Sequence, residues 1–326
     1  MGRLEGANVL VTGGTGFIGT HLIQRLVAEG CQIRATFHKQ EPFLEHDAVQ
    51  YLRADLTHLD ACHTAADGMD FVFMCAANTS GAGVIATTPL VHVTPNVVMN
   101  AQMLEASYAA RVRKFCFVSS NVVYPPLGDT PAREEDAWSG PPHEVYFTSG
   151  WMKRYTEILC QTYAEKIDDP MSVLVVRPSN AYGPYDDFNF KTSHMMAALL
   201  RRIADRHQPV EVWGTGKDVK DLIYIEDLIE GIVSAFRVEG NYTTVNVSSG
   251  KGYSVQQVVE TIARVDGYGD ADIRFDRSKP SVIPKRLVSS EKIRTLTGFQ
   301  AKTSLEDGIR STLTWYRENK ETWVKL

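Results

Sequence analysis

Gly13, Gly16 and Gly19 stand three residues apart, directly after the β-rich run Asn8 to Thr12 and before Ile18, Leu22, Leu26 and Val27, which recur at helical spacing. Strand, glycine turn and helix in that order form a phosphate-binding device. Without side chains the backbone turns tightly, and its N–H groups and the positive helix end approach a pyrophosphate closely. Thr15, Phe17 and Ile18 lie within the same bend. At the end of the next strand, an acidic residue would accept hydrogen bonds from an adenosine ribose, but Phe37 occupies that place and His38 and Lys39 follow. With no carboxylate to repel it and two cationic groups to hold it, a 2′-phosphate is accommodated, which favours NADP(H) while leaving NAD(H) possible. His38 and Lys39 read equally as solvated loop residues. Asp55-Leu56, ending the third strand, can contact the adenine, or Asp55 can cap the turn that follows.

These residues need a frame, and the apolar pattern supplies one. Runs suited to buried strands lie at Gln32 to Phe37, Val49 to Arg53, Phe71 to Cys75, Lys114 to Ser119 and Ser172 to Arg177, with amphipathic stretches such as Val97 to Tyr108 and Trp151 to Glu165 between them. Such alternation implies an α/β doubly wound parallel sheet covered on both faces. Past Pro178 the pattern weakens into a Pro, Gly, Asp and Asn cluster through Asn189. The expectation is a Rossmann domain over 1–178, with a later contribution from about 219–248, and a smaller α/β substrate lobe over 179–326.

The 326 residues suit about two lobes at roughly 150 residues each. Apolar residues are 44% and charged residues 22%, ordinary globular usage that excludes a largely disordered or fibrous chain. With 34 basic against 39 acidic side chains, no cationic excess favours nucleic acid or an anionic membrane. No apolar run approaches the roughly 20 residues of a membrane span, and no signal peptide precedes the first strand. Five scattered cysteines lack a C-x-x-C pair, so reduced thiols in a cytoplasmic setting are expected. The histidines show no ligand spacing, and no metal is assigned.

Three further stretches carry a resemblance over nearly the whole length. They are Val118-Ser119-Ser120-Asn121-Val122-Val123-Tyr124-Pro125, Arg177-Pro178-Ser179-Asn180-Ala181-Tyr182-Gly183-Pro184, and Tyr224-Ile225-Glu226-Asp227-Leu228, with Asn96 and Ser304-Leu305-Glu306-Asp307-Gly308 in matching order. Together with the glycine bend they resemble the extended short-chain dehydrogenases/reductases, the NAD(P)-dependent nucleotide-sugar epimerase and dehydratase superfamily. The resemblance implies hydride transfer at a sugar carbon, with Ala76, Ala77, Asn96, Lys153 and Pro178 around the cofactor. It makes Ser120 the serine that orients the sugar oxygen and Lys153 the lysine that binds the ribose and lowers a phenol's pKa. That phenol belongs four residues before the lysine, where this chain has Ser149. A serine hydroxyl is far less acidic.

Three readings stay open. Tyr146 can supply the hydroxyl, although on a regular helix about 10.5 Å would separate it from Lys153, so a non-helical approach is required. Ser149, Ser120 or water can relay the proton. Or the chain binds cofactor and sugar and reacts poorly. Thr148 and Ser149 also suit N-caps for a helix beginning near Gly150.

The segments Gly183 to Arg202 and Val212 to Gly216 look most like the GDP-fucose synthase branch. In it His194 matches an acid–base histidine, while Val122 stands where the branch has a cysteine, which argues against a two-base epimerisation. Lys220 and Arg286 are expected to neutralise a diphosphate, and Trp213 and Asn180 to line the nucleotide-sugar site. By the same resemblance, Val97 to Tyr108 and Trp151 to Glu165 pair across a twofold axis in a four-helix homodimer interface. The expected chemistry is C4 reduction or epimerisation of a GDP-linked sugar. The alternatives are a UDP- or dTDP-sugar dehydratase or decarboxylase, and a catalytically impaired binding protein.

Overall fold

The structure, a computed structural model, describes residues 4–79, 88, 90–279 and 283–323. In chain order its strands are β1 (Asn8–Thr12), β2 (Gln32–Phe37), β3 (Val49–Arg53), β4 (Phe71–Met74), β5 (Lys114–Val118), β6 (Ser172–Pro178), β7 (Asn180–Tyr182), β8 (Val210–Trp213), β9 (Val219–Tyr224), β10 (Tyr242–Val247), β11 (Gly252–Ser254), β12 (Ile273–Asp276) and β13 (Lys285–Arg286). The helices are α1 (Phe17–Ala28), α2 (Leu59–Ala66), α3 (Leu90–Ala109), α4 (Phe147–Glu165), α5 (Met195–Ala204), α6 (Ile225–Phe236), α7 (Val255–Asp266), α8 (Glu291–Thr297) and α9 (Leu305–Trp323).

Seven strands form one parallel sheet in the order β10-β6-β5-β4-β1-β2-β3. This is the doubly wound arrangement expected from the alternating pattern. Its central strands are apolar without a break because helices cover both faces: Val9, Leu10 and Val11 of β1, and Phe71, Val72 and Phe73 of β4, are almost wholly buried. All the strands run the same way, so their carboxyl ends share one edge, where ligands bind in such sheets. The remaining strands build a small sheet in which β9 pairs with β7, β11 and β13, and a ribbon of β8 with β12.

Two helices begin earlier than the sequence pattern predicts. α3 starts at Leu90 rather than Val97 and carries Pro95 inside it. α4 starts at Phe147 rather than Trp151, with Tyr146 as its N-cap, so neither Thr148 nor Ser149 caps it. α3 and α4 pack on each other, with Asn100 Nδ2 donating to Thr156 Oγ1 at 3.1 Å. Phe147, Trp151, Tyr155 and Ile158, at spacings of four, four and three, line the exposed face of α4.

An aromatic cluster joins distant segments. Phe43 stacks on Tyr185 at 4.8 Å and meets Trp323 edge-on at 4.3 Å, and Tyr185 also touches Trp315. No helix among the described residues is long and apolar enough to cross a membrane. The five cysteines are free.

Candidate active site

The glycine bend owes its shape to close contact rather than to looseness. Gly13 has φ of +66°, and a Cβ there would lie 2.8 Å from Ala76 Cα. A Cβ on Gly19 would lie 2.2 Å from the Gly13 carbonyl oxygen, so the first turn of α1 presses directly on the bend. Gly16 caps α1 without a side chain, and no acid stands in the first turn. The leading N–H groups and positive helix end therefore stay open to an anion, as a dinucleotide pyrophosphate requires. The Thr12 hydroxyl accepts the N–H groups of Cys75 (3.1 Å) and Ala76 (3.0 Å), which fastens the end of β4 beside the bend. As the last strand residue before the first glycine, Thr12 could have been picked out as this fastener; sequence reasoning missed it.

Around that bend the expected cofactor residues fall into two groups. His38 and Lys39 are exposed, with His38 Nε2 3.8 Å from the Asp55 carboxylate. Asp55 Oδ1 accepts from the Thr57 N–H (3.0 Å) and hydroxyl (2.7 Å), which hold the carboxyl below its ordinary pKa and make it the cap of this turn. Leu56 is buried beside it, and Ala77 is exposed. Asn96 is buried and directs its amide to the backbone: Oδ1 accepts from Asn78 N–H (2.8 Å), and Nδ2 donates to the Asn78 (2.9 Å) and His92 (2.7 Å) carbonyls. It thus shapes the segment after β4. Pro178 is buried at the end of β6.

Ser120 follows the end of β5, and Lys153 is bonded to the last residue of the same strand. Ser120 caps a short 3-10 turn, accepting from the Val122 N–H at 3.3 Å. Lys153 Nζ donates to the Val118 carbonyl at 2.9 Å and lies 4.6 Å from the centre of the Phe117 ring. Burial pushes its pKa down to about 8, with Glu157 opposing. Gly150 permits the close approach of α4. A Cβ there would come within 2.5 Å of Pro142 and 2.8 Å of the Val122 carbonyl, so α4 lies flat on the turn after Ser120.

Ser149 Oγ points back to the Tyr146 carbonyl at 3.3 Å. Tyr146 itself ends a 3-10 turn, Glu144–Tyr146, that leads into α4. Its ring lies 5.1 Å beneath the Arg286 guanidinium. Burial raises the phenol's pKa, with Arg286 opposing.

Lys220 and Arg286 are register partners on β9 and β13. Lys220 Nζ donates to the Ile283 carbonyl (2.6 Å), and Arg286 Nη1 donates to Asn121 Oδ1 (3.0 Å), beside Ser120. Burial lowers both pKa values, that of Arg286 to about 10; for Lys220, Asp218 opposes and Arg286 adds to the lowering, and His143 is lowered by burial first and by both cations in addition. Asn121 was not singled out from sequence, because its partner is 165 residues away.

Asn180 Nδ2 donates to the Asp221 carbonyl at 2.8 Å. His194 is the N-cap of α5. Its side chain reaches solvent, yet surrounding protein lowers its pKa, with Asp187 opposing. Trp213 is half exposed on β8, donates to Glu211 Oε1 at 2.9 Å, and has the Lys279 ammonium 5.7 Å from its ring centre.

Known proteins match this chain along nearly its whole length. A GDP-L-fucose synthase of Sinorhizobium fredii is 29% identical over 94% of both chains. A GDP-mannose 3,5-epimerase of Oryza sativa is 28% identical over 97% of this chain and 83% of its own. Among solved structures, UDP-glucose 4-epimerase of Thermotoga maritima superposes with a TM-score of 0.86 at 23% identity, covering 96% of this chain and 99% of its own. A GDP-L-fucose synthetase of Naegleria fowleri gives 0.82 at 25% identity, covering 100% of this chain and 97% of its own. The profile of the NAD dependent epimerase/dehydratase family matches residues 9–248, a span that holds the glycine bend, Ser120 and Lys153. This chain belongs to that family.

Proposed function

We propose that the chain is an NADP(H)-preferring reductase or epimerase acting at C4 of a GDP-linked sugar. The observation that carries this reading is the shared edge: the glycine bend ends β1, Ser120 follows β5, Lys153 is bonded to Val118, and Asn121 links Ser120 to Arg286. A bound nicotinamide dinucleotide supplies hydride exchange with a sugar carbon. The bend, through Gly13, Gly16 and Gly19, holds its pyrophosphate, and His38 and Lys39 receive a 2′-phosphate. Lys153 binds the ribose, and Ser120 orients the sugar oxygen. Lys220 and Arg286 neutralise the nucleotide diphosphate, while Asn180, His194 and Trp213 border the sugar and base.

Tyr146 is the proton donor in this reading. Burial raises the phenol's pKa while the Arg286 guanidinium over its ring opposes this, and a protonated phenol carries the proton that reduction at C4 needs. Val122, which cannot carry a proton, weighs against a two-base 3,5-epimerisation. The GDP base is supported by the GDP-sugar enzymes among the relatives.

The exposed apolar row on α4 suits a homodimer built on α3 and α4, and free cysteines suit a reducing, cytoplasmic setting. The division at 178/179, with a return over 219–248, belongs to the same reading. Ser149, turned to the Tyr146 carbonyl, favours a second one: a protein that retains binding while proton transfer is impaired. Incubation with a panel of GDP-, UDP- and dTDP-sugars, followed by nicotinamide absorbance and sugar NMR, decides between them. Turnover of a GDP-sugar is expected; binding of UDP-sugars alone overturns the assignment.

A further inference from the structure

A further cation stands where the second and third strands end. Phe37, the last residue of β2, and Arg53, the last of β3, are register partners in the parallel sheet, so their side chains leave the same face. That face carries the glycine bend. A Cβ on Gly14 would lie 2.7 Å from the Cβ of Ala35, which shares its face of β2 with Phe37, and the Gly14 N–H donates to the Thr36 carbonyl at 2.8 Å. The Arg53 guanidinium lies 5.2 Å from the centre of the Phe37 ring, and Tyr51 meets the same ring edge-on at 6.5 Å. Phe37 holds the place of a ribose-binding carboxylate, so Arg53 adjoins the position of an adenosine 2′ oxygen.

Arg53 is ion-paired with Glu41 in the loop after β2, and both side chains are exposed, at 62% and 64%. Phe43 fixes that loop by stacking on Tyr185. An ion pair this exposed is weak, whereas a guanidinium braced on an aromatic ring presents its N–H fork to phosphate oxygens two at a time. The other carboxylate at this edge, Asp55, faces His38 at 3.8 Å and His58 at 3.9 Å. We propose that Arg53 is a specificity-determining residue for the cofactor: it exchanges the Glu41 carboxylate for the 2′-phosphate of NADP(H) and gains nothing comparable from NAD(H). Glu41 is the anion that the phosphate must displace. The inference rests on the reading of the chain as NADP(H)-preferring and names a residue behind that preference.

Calorimetry of the full chain with NADPH, NADH, 2′,5′-ADP and 5′-AMP tests it. In Arg53→Ala, affinity for NADPH and 2′,5′-ADP falls about tenfold, while that for NADH and 5′-AMP stays within about twofold. Glu41→Gln raises NADPH affinity about threefold and leaves NADH unchanged. Equal losses for NADPH and NADH in R53A would assign Arg53 to the adenine or to the fold, and overturn the proposal. A preference for NADPH that survives R53A intact overturns the role of Arg53 alone. Equal binding of NADPH and NADH by the unaltered protein overturns the cofactor reading together with it.

Discussion

Lys220 and Arg286 stand opposite each other on adjacent parallel strands, two partly buried cations side by side, with the Asp218 carboxylate 3.7 Å from the ammonium. Like charges so placed repel, and a bound diphosphate relieves the repulsion. Arg286→Ala and Lys220→Ala are each expected to weaken GDP binding about tenfold or more, as loss of a charge-assisted hydrogen bond of roughly 1.5–3 kcal/mol requires. Calorimetry with GDP measures this. Affinities within twofold of the unaltered protein would remove both residues from the site.

Replacing Ser149 by tyrosine places a phenol one turn before Lys153. Catalysis by a positioned proton donor is commonly worth 10²–10⁴-fold, so S149Y is expected to raise kcat at least about tenfold. Tyr146→Phe should lower it by a similar factor. If Y146F turns over normally, Tyr146 is not the donor.

Gly19→Ala forces a methyl group to within 2.2 Å of the Gly13 carbonyl oxygen. Backbone must move, because neither atom is the tip of a flexible chain. The cost is expected at about 1–3 kcal/mol of stability, together with loss of dinucleotide affinity. Thermal unfolding and calorimetry with NADP(H) report the two effects separately.

Activity and stability should part company in alkali. Lys153 titrates near 8 in the folded chain against an ordinary value of 10.5, so between those values the unfolded chain holds the proton more tightly. Its contribution to stability therefore rises with pH across that window, while kcat falls as the ammonium is lost. A flat kcat profile from pH 7 to pH 9 would contradict the charged role of Lys153.

Asp186 behaves in the opposite sense. Burial pushes its carboxyl up to about 7 from 3.8, so its folded form holds the proton more tightly and stability is lost as pH rises between these values. Its Oδ1 accepts the Asp187 N–H at 2.7 Å, an interaction that asparagine preserves. Asp186→Asn is expected to stabilise the protein by about 2 kcal/mol at pH 8 and by almost nothing at pH 4. Melting temperatures at both pH values check the contrast.

The sheet was legible because unbroken apolar runs between turn residues leave few other structures; β1, β2 and β3 match their sequence limits to the residue. The glycine bend was equally plain. The start of α3 was missed because Pro95 reads as a helix limit, yet it is carried within the first two turns. The entrance to α4 was harder still, since a short 3-10 turn at Glu144–Tyr146 precedes it and Pro142 packs closely on Gly150. Lys220 beside Arg286, and Glu157 beside Arg177, arise from strand register and helix docking between remote segments. No local pattern carries such pairings.

The enclosure around Phe43 is assembled from both ends of the described chain, because Trp315 and Trp323 of α9 form its far side with Tyr185. During synthesis, the stretch leading from His38 toward the third strand emerges long before these walls exist. Its hydrophobic anchor therefore lacks its aromatic partners of α9 until the last part of the described chain has been made.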